Sequence, residues 1–216
     1  MADPVCSDGA GQHRPYPIVV LPRAATAQHR TWASRGATLV DVTSRGSTSW
    51  VRFSPFYPHG GIPIPAWPGR TAVSVEGIWQ GLKRFENENQ IDEGSFEISS
   101  MRGIKRTSKA RGRQGVSRGR VLGHQAGADV STLLGYVEAR RQLYLPAYRW
   151  VLDHRLHDEL EALRALAHNC PVLLLDYTVN SDVSDQRKPL SHAALVKAYL
   201  EYNWPGDGRN DAAAGT

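Results

Sequence analysis

Hydrophobic and polar positions alternate along this chain with two different periods. In the amino-terminal third, short apolar runs rich in β-branched residues predict strands over residues 16–21, 37–42 and 47–53. Because a turn containing Gly46 separates the last two runs, they are expected to form a hairpin. Residues 55–69 are rich in Pro and Gly and predict a loop, whose apolar side chains must pack against the core or a ligand.

Helical spacing dominates the rest of the chain. It predicts a helix over 75–85 capped by Ser74, a helix over 132–153 kinked by Pro146, an amphipathic helix over 158–168, a buried strand over 171–177 and a capped helix over 191–202. The expected fold is therefore α+β and predominantly helical, a single domain of several helices with a small β-sheet or hairpin. This domain is predicted over residues 16–204, between disordered polar tails at 1–15 and 205–216.

Composition narrows the class of protein. The 216 residues suffice for one core, and the two cysteines stand far apart outside any C-x-x-C pair. With no apolar stretch of membrane-spanning length and no secretory pattern, a soluble cytoplasmic protein without a membrane partner is expected. The net charge of +5 is concentrated in residues 102–120, which carry eight basic residues and no acidic one. Such a run attracts phosphate, although a solvated loop has the same composition.

Familiar catalytic motifs are missing, but three segments carry candidate chemistry. There is no Walker loop, G-x-G-x-x-G, H-E-x-x-H or G-x-S-x-G, and the eight histidines lack ligand spacing, so no metal or cofactor is expected. The three segments supply Ser54, Phe56 and Tyr57; then Glu76, Trp79, Gln80 and Lys83; then Lys109 and Arg113. Glu76, Gln80 and Lys83 share one helical stripe. Alternatively, Glu76 only complements the helix dipole and Trp79 only packs in the core.

In this order the three segments resemble the NADAR family. The motifs are Ser54-Pro55-Phe56-Tyr57-Pro58, Ser74-Val75-Glu76 with Gln80 and Lys83, and Lys109-Ala110-Arg111-Gly112-Arg113. The likeness continues through residues 136–148 and 172–182, with Asp176 in place of the family's commoner Glu and Ser184-Asp185 in place of its Trp-Gly. The resemblance implies an N-glycosidase acting on ribosides such as ADP-ribosylated guanine or the phosphoribosides of the riboflavin pathway.

The resemblance and the chemistry of the reaction together suggest roles for the candidate residues. Breaking an N-glycosidic bond develops positive charge on the ribose, so an ionised Glu76 is expected to face the sugar. The other expected roles are Asp182 as a second catalytic carboxylate, Trp79 or Tyr57 as a stacking face for the base, Lys83, Lys109 and Arg113 as phosphate ligands, and Gln80 and Asn180 as readers of sugar or base edges. The expected substrate is a small nucleotide or phosphoriboside, with ADP-ribosylated nucleic acid as a further candidate.

Two rival interpretations remain open. One is a non-catalytic nucleic-acid binder that uses the basic 102–120 segment as its electrostatic surface. The other is an inactive relative that binds a nucleotide such as ADP-ribose. Salt dependence and the effect of changing Glu76 distinguish these from an enzyme.

Overall fold

Three small sheets and a set of helices enclose one hydrophobic core in the computed structural model, which describes residues 15–46, 48–107 and 117–206. The predicted tails fall mostly beyond these ranges, at residues 1–14 and 207–216. The strands are β1 (Ile18–Pro22), β2 (Thr38–Asp41), β3 (Ile62–Pro63), β4 (Thr71–Ala72), β5 (Lys83–Phe85), β6 (Val121–Ala126), β7 (Asp129–Leu134) and β8 (Val172–Asp176). The helices are α1 (Thr26–Ala33), α2 (Val75–Gly81), α3 (Met101–Thr107), α4 (Tyr136–Ala139), α5 (Leu145–Arg155), α6 (His157–Asn169) and α7 (His192–Leu200).

The central sheet is parallel and has the strand order β1-β8-β2. Its middle strand β8 is buried along its whole length, which explains why the sequence there is a continuous apolar run rather than an alternating one. The last residue of that strand is Asp176, so a carboxylate stands at the carboxyl edge of the sheet. Ligands of open parallel sheets bind at this edge.

A long helix crosses the molecule in three consecutive parts. It consists of α4, a π-helical turn over Arg140–Tyr144, and α5. Pro146 does not split the helix, because it stands in the first turn of α5, where its missing backbone N–H is tolerated, and the wider π turn comes directly before it. π turns inside helices are often found at functional sites, and this one points to the region around Arg140.

The expectation of a predominantly helical α+β fold is wrong. About 40% of the structure is helix and about 19% is strand, which defines a single mixed α/β domain. The prediction failed mainly because it did not include the antiparallel sheet β5-β6-β7. The helix predicted over 75–85 ends at Gly81 and the chain continues as β5, while the helix predicted from residue 132 begins only at Tyr136, after β7.

The predicted hairpin is also wrong. β2 pairs in parallel with β8, and the supposed second strand is a 3-10 helix over Thr48–Phe53. In such a helix residues three apart share one side, so Trp50 and Phe53 stack with ring centroids 6.3 Å apart. The strands predicted at 16–21, 37–42 and 171–177 and the helices predicted at 158–168 and 191–202 are confirmed to within a few residues.

No helix within the described ranges is long and apolar enough to cross a membrane.

Candidate functional site

A cavity of about 410 Å³ lies at the carboxyl edge of the parallel sheet. Its aromatic lining consists of Phe56, Trp79, Tyr136, Tyr144 and Tyr177. Its charged and polar lining consists of Ser44, Ser54, Glu76, Arg140, Asp176, Thr178 and His192. A concave site with mostly aromatic walls and a few convergent polar groups is typical of small-molecule binding.

Glu76 enters the cavity from the first turn of α2. The helix begins at the N-cap Ser74, whose Oγ accepts a hydrogen bond from the Gly77 amide at 3.0 Å. The Glu76 amide in turn donates to the Pro55 carbonyl at 2.9 Å. This bond holds the 54–56 loop against α2, which is why Ser54 and Phe56 line the same cavity as Glu76.

The Glu76 carboxyl has two different oxygens. Oε1 accepts a hydrogen bond from Gln80 Nε2 at 2.5 Å, and Lys83 Nζ donates to Gln80 Oε1 at 2.8 Å. Oε2 has no hydrogen-bond partner among the described residues and is not among their fully buried unpartnered atoms, so it reaches the open space of the cavity. Burial raises the pKa of Glu76, and the Gln80 bond and the Lys83 charge only partly oppose this.

Asp176 and His192 form an ion pair on the other side of the cavity. His192 Nδ1 lies 3.1 Å from Asp176 Oδ2, which also accepts hydrogen bonds from Ser191 Oγ at 2.7 Å and the Ala193 amide at 3.2 Å. Burial alone would raise the pKa of Asp176, but the charge of His192 and these bonds lower it. These interactions shift the pKa of Asp176 towards the ionised form, whereas burial shifts the pKa of Glu76 towards the neutral form.

Arg140 is buried in the wall formed by the π turn. Its Nη1 donates to the Val183 and Asp185 carbonyls, both at 2.8 Å, and its Nη2 donates to the Lys188 carbonyl at 2.6 Å. The guanidinium also lies over the Tyr136 ring, 4.5 Å from its centroid. Arg140 therefore fastens the 183–188 segment to the long helix, and the flanks of that segment complete the cavity wall.

Trp79 is the centre of the aromatic lining. Its ring lies 4.0 Å from that of His124, 5.6 Å from Tyr136 and 5.8 Å from Tyr144, measured between centroids. Burial raises the pKa of Tyr144 well above its usual range, and the charges of Glu76 and Asp176 raise it further. Tyr144 thus lies within electrostatic reach of both carboxyl groups and stays protonated.

The residues predicted from the sequence fall into four groups. Ser54, Phe56, Glu76 and Trp79 line the cavity. Gln80 and Lys83 form the polar chain behind Glu76 and are not lining residues. Tyr57, Asn180 and Asp182 lie elsewhere. Lys109 and Arg113 fall outside the described residues.

The three residues that lie elsewhere have local structural contacts. Tyr57 packs against His59 with ring centroids 4.8 Å apart. Asn180 Nδ2 donates to the Lys188 carbonyl at 3.2 Å, and its Oδ1 accepts from the Asp182 amide at 3.0 Å. The exposed Asp182 carboxylate accepts from the Ser184 amide at 2.8 Å. Asn180 and Asp182 thus shape the loop that Arg140 fastens.

The cavity also contains aromatic and charged residues that the sequence did not mark as site residues, among them Tyr136, Arg140, Tyr144, Asp176 and His192. For Asp176 a signal was present, because an acidic residue at the end of a buried parallel strand stands where such sheets bind ligands. Tyr136 and Arg140 lie in the 136–148 segment of the family resemblance, but no site role was assigned to them from the sequence. Tyr144 and His192 reach the cavity through the π turn and the packing of α7, which no local pattern shows.

The described part of the basic run has mixed roles. Arg118 is buried and holds Glu88 through two hydrogen bonds of 2.7 Å, and Arg120 Nε lies 3.5 Å from Glu86 Oε2. Lys105, on α3, donates to Ser44 Oγ and lies 5.3 Å from the Phe56 ring centroid. One member of the run therefore reaches the cavity rim, while two others make ion pairs within the fold.

The fold and site together define a mixed α/β protein with an aromatic-lined cavity at the carboxyl edge of a parallel sheet. The chain belongs to the family of unknown function DUF6939, whose model matches residues 23–196. The matched range includes every residue that lines the cavity. The family has no assigned activity, and the match does not link the chain to the NADAR family. No curated protein and no solved structure matches the chain. Across the described ranges, no group of three or more His, Cys, Asp or Glu side chains is arranged to hold a metal ion.

Proposed function

We propose that this protein is a hydrolase that cleaves the bond between ribose C1′ and a nitrogenous base in a nucleotide-like substrate. The observation that carries the proposal is the Glu76 carboxyl, which stands in an aromatic cavity with Oε2 open to the ligand space. The motif resemblance of residues 54–58 and 74–83 to N-glycosidases supports the same reaction.

Glu76 acts as a general acid rather than as the ionised group expected from the sequence. A buried carboxyl with a raised pKa favours the neutral form, and neutral carboxyl groups of this kind serve as proton donors. As the C1′–N bond breaks, the electron pair goes to the base and Glu76 gives its proton to that base. Water then attacks C1′ of the cationic sugar and returns a proton to the Glu76 carboxylate, so the carboxyl group is restored.

The second carboxylate of the reaction is Asp176 rather than the expected Asp182. Asp176, whose pKa is lowered, lines the cavity as a carboxylate, so its negative charge stabilises the positive charge that develops on the ribose. Its oxygens are largely occupied by Ser191, the Ala193 amide and the Tyr177 amide, so it stabilises charge and does not attack the sugar. Asp182 lies exposed on a loop outside the cavity lining, and its catalytic role stays a prediction from the sequence.

The cavity favours a substrate of mononucleotide size. At about 410 Å³ it lies near the lower end of the range of roughly 300–1,000 Å³ that small-molecule sites occupy. The aromatic faces of Trp79 and Tyr144 suit a flat heterocycle, and Lys105 at the rim suits a phosphate. Lys109 and Arg113 remain predicted phosphate ligands, and the cytoplasmic location remains a prediction from the sequence.

A panel of substrates tests the proposal. Purified protein is incubated with nucleoside 5′-phosphates, pyrimidine phosphoribosides and ADP-ribosylated guanine in mononucleotide and DNA form, and free base is followed by chromatography. Base release from a mononucleotide-sized compound is the expected result. Binding without release from any compound would contradict the enzyme proposal and favour a nucleotide-binding protein. Binding only to nucleic acid, with steep loss in salt, would favour the electrostatic alternative.

A further inference from the structure

Two side chains behind the cavity determine how the Glu76 carboxyl is oriented. Lys83 Nζ donates to Gln80 Oε1 at 2.8 Å, and Gln80 Nε2 donates to Glu76 Oε1 at 2.5 Å. A lysine ammonium has three donors and no acceptor, so the Gln80 amide must turn its oxygen to Lys83. Its NH₂ group then necessarily faces Glu76, and the reversed amide would place two donors against each other.

This chain decides which oxygen of Glu76 carries the proton. Since Oε1 accepts the hydrogen bond from Gln80, a neutral Glu76 must carry its hydrogen on Oε2, the oxygen that faces the cavity. We infer that Lys83 is a positioning residue that acts through the Gln80 amide to hold the Glu76 proton on Oε2, at the ligand side. The placement itself follows from the hydrogen bonds, while its use in base release rests on the proposed function.

The fold holds Lys83 in place from a separate sheet. Lys83 is the first residue of β5 and pairs across the strands with His124 of β6, whose ring packs on Trp79. Lys83 Nζ itself lies 5.9 Å from the Trp79 ring centroid. α2 and the antiparallel sheet therefore set the distance between the ammonium and the amide, and Lys83 does not need the ligand to stay there.

The surroundings of Glu76 hold few charges besides Lys83. The π turn contributes Tyr144, which stays protonated, and β6 contributes His124, whose pKa is lowered to about 3 by burial and by Lys83. The 93–97 segment packs on α2 through Ser95 and Phe96. Its Glu93 forms an ion pair with Arg70. The more distant charges are Lys105 of α3, Arg118 beside Lys83, and Arg140, Asp176 and His192 across the cavity. Lys83 is the charged group that lowers the pKa of Glu76.

Infrared titration of the Glu76 carboxyl tests this inference without relying on activity. The carboxylic-acid C=O band that disappears in Glu76→Gln is followed against pH in the wild type, in Lys83→Met and in Lys83→Arg. The expected result is that Lys83→Met moves the titration to higher pH, because the cation that favours the carboxylate is gone, and that Lys83→Arg restores it. An unchanged titration in Lys83→Met would overturn the inference. If Lys83→Met does not fold, Gln80→Leu tests the same inference. This change removes the amide between Lys83 and Glu76, and it is expected to move the titration of the Glu76 band to higher pH as well.

Kinetics provides a second readout on any substrate whose base is released. Lys83→Met is expected to lower kcat about tenfold or more with little change in KM, as a part of the roughly 10²–10⁴ that a positioned acid contributes. Lys83→Arg is expected to recover most of the rate, and Lys197→Met, at a half-buried position on α7 away from the cavity lining, serves as the control. Wild-type protein without activity but with the expected infrared shift would refute the proposed function and leave the inference standing. If the wild type is active but Lys83→Met changes neither kcat nor the infrared titration, the proposed function stands and the inference about Lys83 is refuted.

Discussion

His192 lies with its Nδ1 3.1 Å from Asp176 Oδ2, at the point where the central strand ends and α7 begins. Its other ring nitrogen lies 2.9 Å from the Val42 carbonyl, so both nitrogens face acceptors and the ring carries both hydrogens. Burial alone would lower the pKa of His192, but the Asp176 charge and both hydrogen bonds raise it. The cavity therefore contains a fixed, buried ion pair.

Breaking this pair is expected to destabilise the protein in a pH-dependent way. Asp176→Asn leaves the buried imidazolium without its counter-charge, which costs about 3–5 kcal/mol of unfolding free energy. The His192 contribution is complete below its ordinary pKa of 6.5 and is lost as pH rises through the raised value, while the Asp176 contribution is present above 3.8. The loss in Asp176→Asn should therefore be largest between these two values and smaller in alkaline solution.

Denaturant unfolding at about pH 5.5 and about pH 9 measures this difference. Lys197→Met, on the same helix, removes an exposed pair with Glu201 at 3.9 Å and should change stability by less than roughly 0.5 kcal/mol at either pH. Equal losses in Asp176→Asn at both pH values would show that the two side chains do not form an ion pair.

His124 is expected to limit the acid stability of the fold. Its ring is buried, and neither nitrogen makes a well-formed hydrogen bond with the described residues. Burial and the Lys83 charge lower its pKa to about 3, and a backbone contact with Trp79 offsets this only in part. Because the unfolded chain takes up a proton near pH 6.5 and the folded one does not, stability falls by at most about 1.4 kcal/mol for each pH unit between 6.5 and about 3. His124→Leu should therefore move acid unfolding to lower pH, whereas the exposed His168→Gln should leave the midpoint unchanged. An acid midpoint that stays the same in His124→Leu would contradict this assignment.

Gly81 permits the close packing that holds α2 in position. A Cβ at this residue would lie 2.2 Å from Phe96 Cε1, and Phe96 is itself fully buried. Gly81→Ala is therefore expected to cost about 1–3 kcal/mol through overpacking, which exceeds the roughly 1 kcal/mol gained in helix propensity. In a double-mutant cycle the same change should cost less in a Phe96→Leu background. Additive effects would mean that the two residues do not meet.

Arg140 should control the order of the loop beside the cavity. Arg140→Lys keeps the charge but cannot reach the carbonyls of Val183, Asp185 and Lys188 together. Faster amide hydrogen exchange is expected over residues 179–190 in this variant, measured by mass spectrometry on peptides. Within the described residues, the neighbouring Arg141 makes a single side-chain hydrogen bond, to the Ser184 hydroxyl at 3.3 Å. Arg141→Lys is therefore the matched control and should exchange like the wild type. Equal protection in all three proteins would show that Arg140 does not hold the 183–188 segment in place.

Local patterns predicted the elements whose environment is simple. The apolar run at 172–175 is buried on both faces, and the period of 3.6 in 157–169 reflects one apolar side facing the core. The β6-β7 sheet was missed because its strands are largely exposed and do not alternate regularly. The 3-10 helix at Thr48–Phe53 was predicted as a strand, because a short run that contains Trp50 and Phe53 is compatible with both a strand and a 3-10 helix.

The site was predictable only where its residues are near one another in the sequence. Ser74, Glu76 and Trp79 follow from one capped helix, and the Pro55 carbonyl brings in the neighbouring loop. His192 and Asp176 meet because α7 begins beside the end of β8, which is a tertiary contact that spacing cannot show. The position of Lys83 also differs from the helical one that the spacing predicts, because α2 ends at Gly81 and Lys83 begins strand β5 behind the helix.

The central claim is that Glu76 supplies the proton for base release, and one comparison tests it directly. On the best substrate of the panel, Glu76→Gln should retain ligand binding and fold but lose about 10²–10⁴ in kcat, because the amide keeps the shape and the Gln80 contact without an acidic proton. Glu97→Gln, an exposed change nearby in the sequence, should act like the wild type. Base release by Glu76→Gln at the wild-type rate would contradict the account, whatever the substrate.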